Sequence, residues 1–349
     1  MRFLLLPIAF FYHIILIIRH KLYDWHLLKS KRFDMPVIGV GNLALGGTGK
    51  TPHVEYLIDL LKDDFQVATL SRGYGRSTKG FKKADQSSTY KDLGDEPLQY
   101  YQKFPEIQVA VDEDRVDGVT HLLQSDVTPE IILLDDAFQH RHIEAGLNIL
   151  LTEYGRLYTD DLLVPAGTLR DIRTAAKRAN LIVVSKSPHE LNEQQQLEII
   201  KKLKPLPHQK VFFSSLEYKP LKAINNAAQT FDPESADSVL LFCGIAYPES
   251  LMEKLRCHYR QVDSLVFHDH HPYTENDVKQ ILDRVGQLQG EKKFIVTTEK
   301  DYARFINNPY LCQFETVPLF VVPINISFFK KEEFKIEILN YVRKNHQHR

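Results

Sequence analysis

Sulfur is scarce in this chain of 349 residues, which holds three cysteines and three methionines. Cys243, Cys257 and Cys312 are too few and too scattered for a disulfide framework or a cysteine-rich zinc cluster, and they suit a reducing compartment. Net charge is nearly absent too. Lys+Arg is 44 against Asp+Glu 45, a formal −1, so the chain as a whole is not a basic nucleic-acid binder and no nucleic-acid partner is expected. There is no internal repeat, no low-complexity tract, and a single long apolar run, which excludes disorder, collagen and a polytopic membrane protein. What remains is ordinary globular composition, 43% hydrophobic and 26% charged, at a length suited to about two domains.

The charge is unevenly placed. Residues 1–34 carry six bases (Arg2, Arg19, Lys21, Lys29, Lys31, Arg32) against Asp24 and Asp34, so the rest of the chain is acidic. Within this segment Phe3 to Ile18 is an apolar run broken by Pro7 and His13. As a helix it is roughly 24 Å long, short of the ~30 Å hydrocarbon core. A cleaved signal peptide is disfavoured, because Arg19-His20-Lys21-Leu22-Tyr23-Asp24-Trp25 offers no small residues for a cleavage site. A buried core helix stays open. An interfacial anchor, residues 1–20, fits best: Tyr23 and Trp25 sit among cations just past the run, where headgroups and anionic lipid would lie. The bases on its C-terminal side predict, by the positive-inside rule, a body on the cytoplasmic side.

Beyond Pro36, short β-branched runs at Val37–Val40, Val67–Leu70, Ile107–Val111, Ile131–Leu134, Leu147–Leu151 and Leu181–Val184 alternate with helical patterns such as His53–Leu61 and Arg115–Leu123. Near-continuously apolar strands separated by helices predict an α/β fold: a mainly parallel sheet covered on both faces. Ligands of such sheets bind at loops following strands. Residues 21–218 form this first domain. The polar, turn-rich stretch 219–238 reads as a linker, and 239–349 as a smaller α/β domain whose C-terminal helix could pack back on the first.

The run from Val37 to Pro52, with Gly46-Gly47-Thr48-Gly49-Lys50-Thr51 at its end, has the strand, glycine-rich loop and helix of a P-loop, an NTPase-type sheet motif. Its backbone N–H groups and helix N-terminus would cradle nucleotide phosphates; Lys50 would reach the outer phosphates and Thr51 would ligate Mg²⁺. Ala44 stands where the strict pattern has glycine. Asp135-Asp136 ends a buried strand and reads as the carboxylate pair that holds Mg²⁺, with either member as the direct ligand. Arg72 and Arg76 follow the second strand and could stabilise phosphoryl charge or an acidic substrate group. Asp95 and Glu96 open a helix and, taken alone, are ordinary first-turn acids. Ser187-Pro188 after Lys186 denies the guanine-reading Lys-x-Asp. His268, His270 and His271 lack the further ligands of a zinc site.

The order of Gly46–Pro52, Arg72-Gly73-Tyr74-Gly75-Arg76, Gly94-Asp95-Glu96-Pro97, Asp135–His140, Pro165-Ala166-Gly167 with Leu169-Arg170, Gly244-Ile245-Ala246, Asp269-His270-His271 and Thr298-Glu299-Lys300-Asp301 resembles the tetraacyldisaccharide 4′-kinase family, over residues 1 to about 304. A monomer is expected, and the resemblance implies a membrane-associated kinase using ATP and Mg²⁺ to phosphorylate the 4′-hydroxyl of an acylated glucosamine disaccharide lipid. It implies Asp95 as base with His270 as partner, Glu96, Asp136 and Asp171 around Mg²⁺, and Arg170 beside the phosphates. Ala137 and Ala246 replace expected glycines, and Asp171 an expected glutamate. Asp95 is expected to gain basicity from burial in the cleft. The competing class is a P-loop ATPase acting as a switch or assembly factor at the membrane.

Overall fold

A computed structural model describes residues 5–245, 247–306 and 308–346; Ala246 and, of the apolar run, Phe3 and Leu4 lie outside these. Among the described residues the strands are β1 (Val37–Asn42), β2 (Val67–Ser71), β3 (Lys82–Lys83), β4 (Gln108–Val111), β5 (Ile131–Asp135), β6 (Leu147–Glu153), β7 (Leu181–Ser185), β8 (Lys210–Tyr218), β9 (Lys222–Ala223), β10 (Ser238–Cys243), β11 (Gln261–Val266), β12 (Lys293–Thr298), β13 (Leu319–Val322) and β14 (Ile324–Phe328). They form a nine-stranded sheet, ordered β14-β8-β7-β6-β1-β5-β2-β4-β3, and a five-stranded one, ordered β11-β10-β12-β13-β9.

From β8 to β4 the large sheet is parallel, with antiparallel β14 and β3 at its edges. Every residue of β1, β2, β5 and β7 is buried, as expected of strands covered on both faces. β1 lies between β5 and β6, so the winding reverses there and the crevice opens at the ends of β1 and β5. Val40 is opposite Asp135 in that pairing, which fixes the glycine-rich loop beside the two aspartates.

The stretch expected as a linker is partly structured: β9 adds an edge strand to the small sheet and Asn226–Gln229 a helical turn. The C-terminal segment packs back on the large sheet, as was left open for its helix above. β14 pairs with β8, and the helix Lys331–His346 buries Phe334, Ile338 and Val342 in the core of the large sheet. The amphipathic spacing of that helix does not say which sheet it covers. The chain thus crosses between the sheets twice, and the Lys219 N–H donates to the Pro323 carbonyl at 2.9 Å where the crossings meet.

The N-terminal helix runs Leu6–Asp24, longer than the apolar run, with Pro7 in its first turn where a missing N–H costs nothing. Ala9, Leu16 and His20 make one buried stripe, packed with Leu43, Ala44, Phe138, Leu169 and Ile172 under the site loops. The other side is bare: Ile8, Phe10, Phe11, Ile15 and Ile18 are each more than half exposed.

Candidate active site

The glycine-rich loop leaves β1 and enters the helix Lys50–Leu61 through Gly49, whose φ of +83° is a left-handed conformation that glycine adopts without strain. Asn42 donates to the Thr48 hydroxyl at 2.8 Å, and the Ser185 hydroxyl donates to the Thr48 carbonyl at 2.8 Å, so the loop is pinned from β1 and β7. Ala44 forms an antiparallel bridge with Leu169, and this strand-like pairing asks for no glycine. Lys50 points back along the loop, 3.4 Å from Asn42 Oδ1 and 3.7 Å from Asp136 Oδ1.

The two adjacent aspartates have separate fates. Asp136 has φ +52° and turns its carboxylate to Arg170, which binds it through both terminal nitrogens, one at 2.8 Å. Burial works against that charge, but Lys50 and Arg170 outweigh it and hold the carboxyl down to about 2. Asp135 stays buried. Its Oδ2 accepts from the Tyr100 hydroxyl at 3.1 Å and lies 3.5 Å from Ser71 Oγ, whereas its Oδ1 has no partner among the described residues. Burial first, then Asp136 and Glu96, push it up to about 6. Thr51 adjoins the same Tyr100 hydroxyl. An orphaned carboxylate oxygen, a second acid and a threonine hydroxyl form an oxygen donor set of the kind Mg²⁺ takes.

Opposite the loop, the helix Asp95–Lys103 begins after Gly94, whose φ is +90°; a Cβ there would lie 2.9 Å from the Tyr74 carbonyl. Asp95 is 5% exposed, and two groups from the other sheet's side reach it. His270 Nδ1 is 2.5 Å from Asp95 Oδ2, and Arg304 Nη2 is 2.6 Å from the same oxygen. His268 and His271 contact each other instead, and His271 contacts Asp277. Burial opposes the Asp95 charge, yet hydrogen bonds from His270 and Arg304 prevail and hold the carboxyl well below the ordinary range. The expectation of a basicity raised by burial is therefore corrected, because a desolvated anion bonded by a guanidinium and an imidazole is favoured rather than neutralised. Glu96 pairs with Lys300 at 3.3 Å.

Sequence reasoning missed Arg304. It is 2% exposed, held in turn by Asp301 at 3.1 Å, and Asp301 accepts from Gly244 N–H, Tyr273 and Thr298. Thr298-Glu299-Lys300-Asp301 was recognisable as a motif, but nothing in one dimension ties Arg304 to Asp95, 209 positions away. Arg115 was also missed: fully buried, it donates to the Asp112 carbonyl at 2.6 Å and lies 3.5 Å from that of Asp135.

Two expected residues are not brought to the site. The Arg76 guanidinium turns to Glu113 at 2.7 Å and to the Gly80 carbonyl, bracing its own loop, while Arg72 is exposed on the site side, where its charge bears on Arg115 and His140. Asp171 is wholly buried against His20 of the N-terminal helix at 2.6 Å and Arg178 at 3.4 Å. In extended chain Arg170 faces Asp136, so its neighbour faces away; the shorter acid belongs to the helix dock.

A parallel sheet with a phosphate loop at its switch point, acids beside it and a buried aspartate across the cleft define a P-loop phosphotransferase. Residues 1–343 match the family model described as LpxK, tetraacyldisaccharide-1-P 4′-kinase. The chain is 42% identical to the tetraacyldisaccharide 4′-kinase of Bacteroides thetaiotaomicron, covering 98% of this chain and 93% of that one. It is 44% identical to that of Flavobacterium johnsoniae, covering 99% and 98%. A crystal structure of Aquifex aeolicus LpxK in complex with ATP superposes at a TM-score of 0.74 with 29% identity, over 98% and 99% of the two chains. The chain belongs to the tetraacyldisaccharide 4′-kinase family.

Proposed function

We propose that this protein transfers the γ-phosphoryl group of ATP to the 4′-hydroxyl of a tetraacylated glucosamine disaccharide 1-phosphate. The observation that carries the reading is the placement of Asp95, bound by His270 and Arg304, at the start of the helix whose Tyr100 bonds Asp135 beside Lys50. A switch ATPase has no use for a carboxylate clamped this way.

His270 and Arg304 both take Asp95 Oδ2, leaving Oδ1 for the sugar hydroxyl. Because the carboxyl is an anion throughout the physiological range, it accepts that hydrogen bond without first losing a proton. Its low basicity is tolerable where the transition state is loose and the hydroxyl proton moves late; orientation then counts for more than driving force. Gly46, Gly47, Thr48 and Gly49 offer backbone N–H groups to the phosphates, and Lys50, Arg170, Arg115 and Arg72 supply positive charge where it spreads. Thr51, Asp135 and Glu96 would hold Mg²⁺, which supplies neutralisation of the phosphate oxygens, while Asp136 positions Lys50 and Arg170.

The N-terminal helix seats the enzyme at the cytoplasmic face of the inner membrane, its exposed isoleucines and phenylalanines in the acyl boundary and its bases against anionic headgroups. Tyr12 and Arg19 of this helix bond the Arg170 and Gln139 carbonyls at 3.0 and 2.9 Å, so the anchor grips the loops of the site itself. Incubation of the protein with ATP and the lipid disaccharide, followed by mass spectrometry, is expected to show one added phosphate. Nucleotide hydrolysis indifferent to the disaccharide would point to the switch ATPase.

A further inference from the structure

Where the end of the N-terminal helix meets the 3₁₀ turn Arg173–Arg178, a concavity of about 320 Å³ opens on the surface. Four cations, Lys21, Arg141, Lys177 and Arg178, line it against one acid, Asp24; Ile17 and Ile172 make its apolar wall. This is separate from the nucleotide cradle, because none of Lys50, Arg72 or Arg170 lines it. The buried Asp171, facing away from Arg170, stands between the two.

Two of the four cations are not spent on the protein, whereas Arg141 also donates to the His20 carbonyl at 2.9 Å and Arg178 lies over the Phe138 ring. Lys21 and Lys177 are exposed and have no side-chain partner among the described residues. Arg178 Nε is buried without a partner, and its pairing to Asp171 at 3.4 Å uses one terminal nitrogen. Asp24, the acid that answers Arg141 at 2.9 Å, is about half exposed, so that pair contributes little. Like charges drawn into one concavity repel each other until an anion enters. Ile17 at the rim is 37% exposed, and it continues into exposed Ile14 and Ile18 on the helix. An anion arriving here would arrive on a greasy stem.

We propose that this concavity binds the phosphate of a lipid headgroup, holding the enzyme at a set depth and rotation in the membrane. Two lipids carry that chemistry, an anionic glycerophospholipid of the bilayer and the acceptor through its own 1-phosphate; the second source rests on the kinase reading above.

The test is the double variant Lys21→Glu with Lys177→Glu, whose side chains have no partner to lose and whose unfolding temperature should match the parent. The comparison is an equal charge reversal nearby, Lys29→Glu with Lys31→Glu. Sedimentation is measured with vesicles of phosphatidylcholine alone and with about a fifth phosphatidylglycerol. KM for the disaccharide 1-phosphate is measured in neutral detergent micelles. If a bilayer lipid occupies the site, the first pair loses about tenfold more of the phosphatidylglycerol-dependent binding than the second, at unchanged micellar KM. If the acceptor occupies it, micellar KM rises about tenfold in the first pair alone and the vesicle losses match. Equal vesicle losses with unchanged KM overturn the proposal, leaving only diffuse attraction of each base to the surface. The vesicle arm reads without turnover, so it stands apart from any failure of the kinase reading, which would show as no phosphate transfer by the parent protein.

Discussion

Arg304→Met is the sharpest probe of the site, because one buried guanidinium serves two buried carboxylates. Arg304 donates to Asp95 at 2.6 Å and to Asp301 at 3.1 Å, and both acids are nearly or wholly buried. Methionine keeps the apolar volume and removes the charge, leaving Asp95 with His270 and Asp301 with Tyr273, Thr298 and the Gly244 N–H. Breaking one side of a buried ion pair costs about 3–5 kcal/mol, and Asp301 has neutral donors to fall back on, so the lower end is expected. The charge-assisted bond to Asp95, about 1.5–3 kcal/mol by itself, also orients the carboxylate we propose as base. If that orientation is expressed fully in the transition state, kcat falls roughly 10- to 150-fold, with KM for ATP nearly unchanged because Arg304 touches none of the P-loop groups. Thermal unfolding and steady-state ADP release on the same preparation measure both quantities. Arg304→Lys should fall between, since one ammonium cannot span both carboxylates as the planar fork does. A folded Arg304→Met enzyme with parental kcat would refute the reasoning, since Asp95 would then need no second donor.

Asp95→Ala should cost kcat at least about 100-fold with KM for ATP little changed, read by acceptor-dependent ADP release. Asp135, raised to about 6, must be ionised to hold a cation, so activity should fall as pH drops through about 6 and the midpoint should move to lower pH as Mg²⁺ is increased. A midpoint indifferent to Mg²⁺ would show that Asp135 is not a ligand. Glu55 is buried between Lys103, Gln99 and, through Lys103, Glu299; burial raises it from an unfolded value near 4.5 to about 7. Its contribution to stability is therefore present in full below pH 4.5 and is lost as pH rises through 7, worth about 3 kcal/mol over that window. Glu55→Gln should flatten that slope in denaturant melts between pH 5 and 8. Asp171→Ala should loosen the helix dock, seen as faster tryptic cleavage after Arg19 and Lys21 at an unchanged Mg²⁺ requirement; a raised requirement without faster cleavage would return Asp171 to the metal.

Much was legible from one dimension because it depended on neighbours in the chain. The P-loop needs a strand, glycines, Lys50 and Thr51 in succession, and local sterics dictate the turn at Gly49. The parallel sheet followed from apolar strands alternating with helices, and β1, β2 and β4 to β7 begin and end close to where their β-branched runs do. The short strands β3 and β9 were missed, as were β8 and β14, of which β14 completes an edge and carries alternating burial rather than a solid apolar run. The helix Lys331–His346 was visible as a helix, but its choice of sheet was not.

Composition and the order of residues thus determined the class of fold, the phosphate loop and the apolar N-terminal helix, and the resemblance of the motifs pointed to the family. Tertiary structure alone decided the rest. It chose Asp135 over Asp136 as the carboxylate with an oxygen unpartnered among the described residues, turned Arg76 to Glu113 and Asp171 to His20, and brought Arg304 to Asp95. The reason is physical. A charged side chain's role depends on which opposite charges surround it and how little water reaches it, and both are set by segments far apart in the chain that meet only when the two sheets close over one cleft.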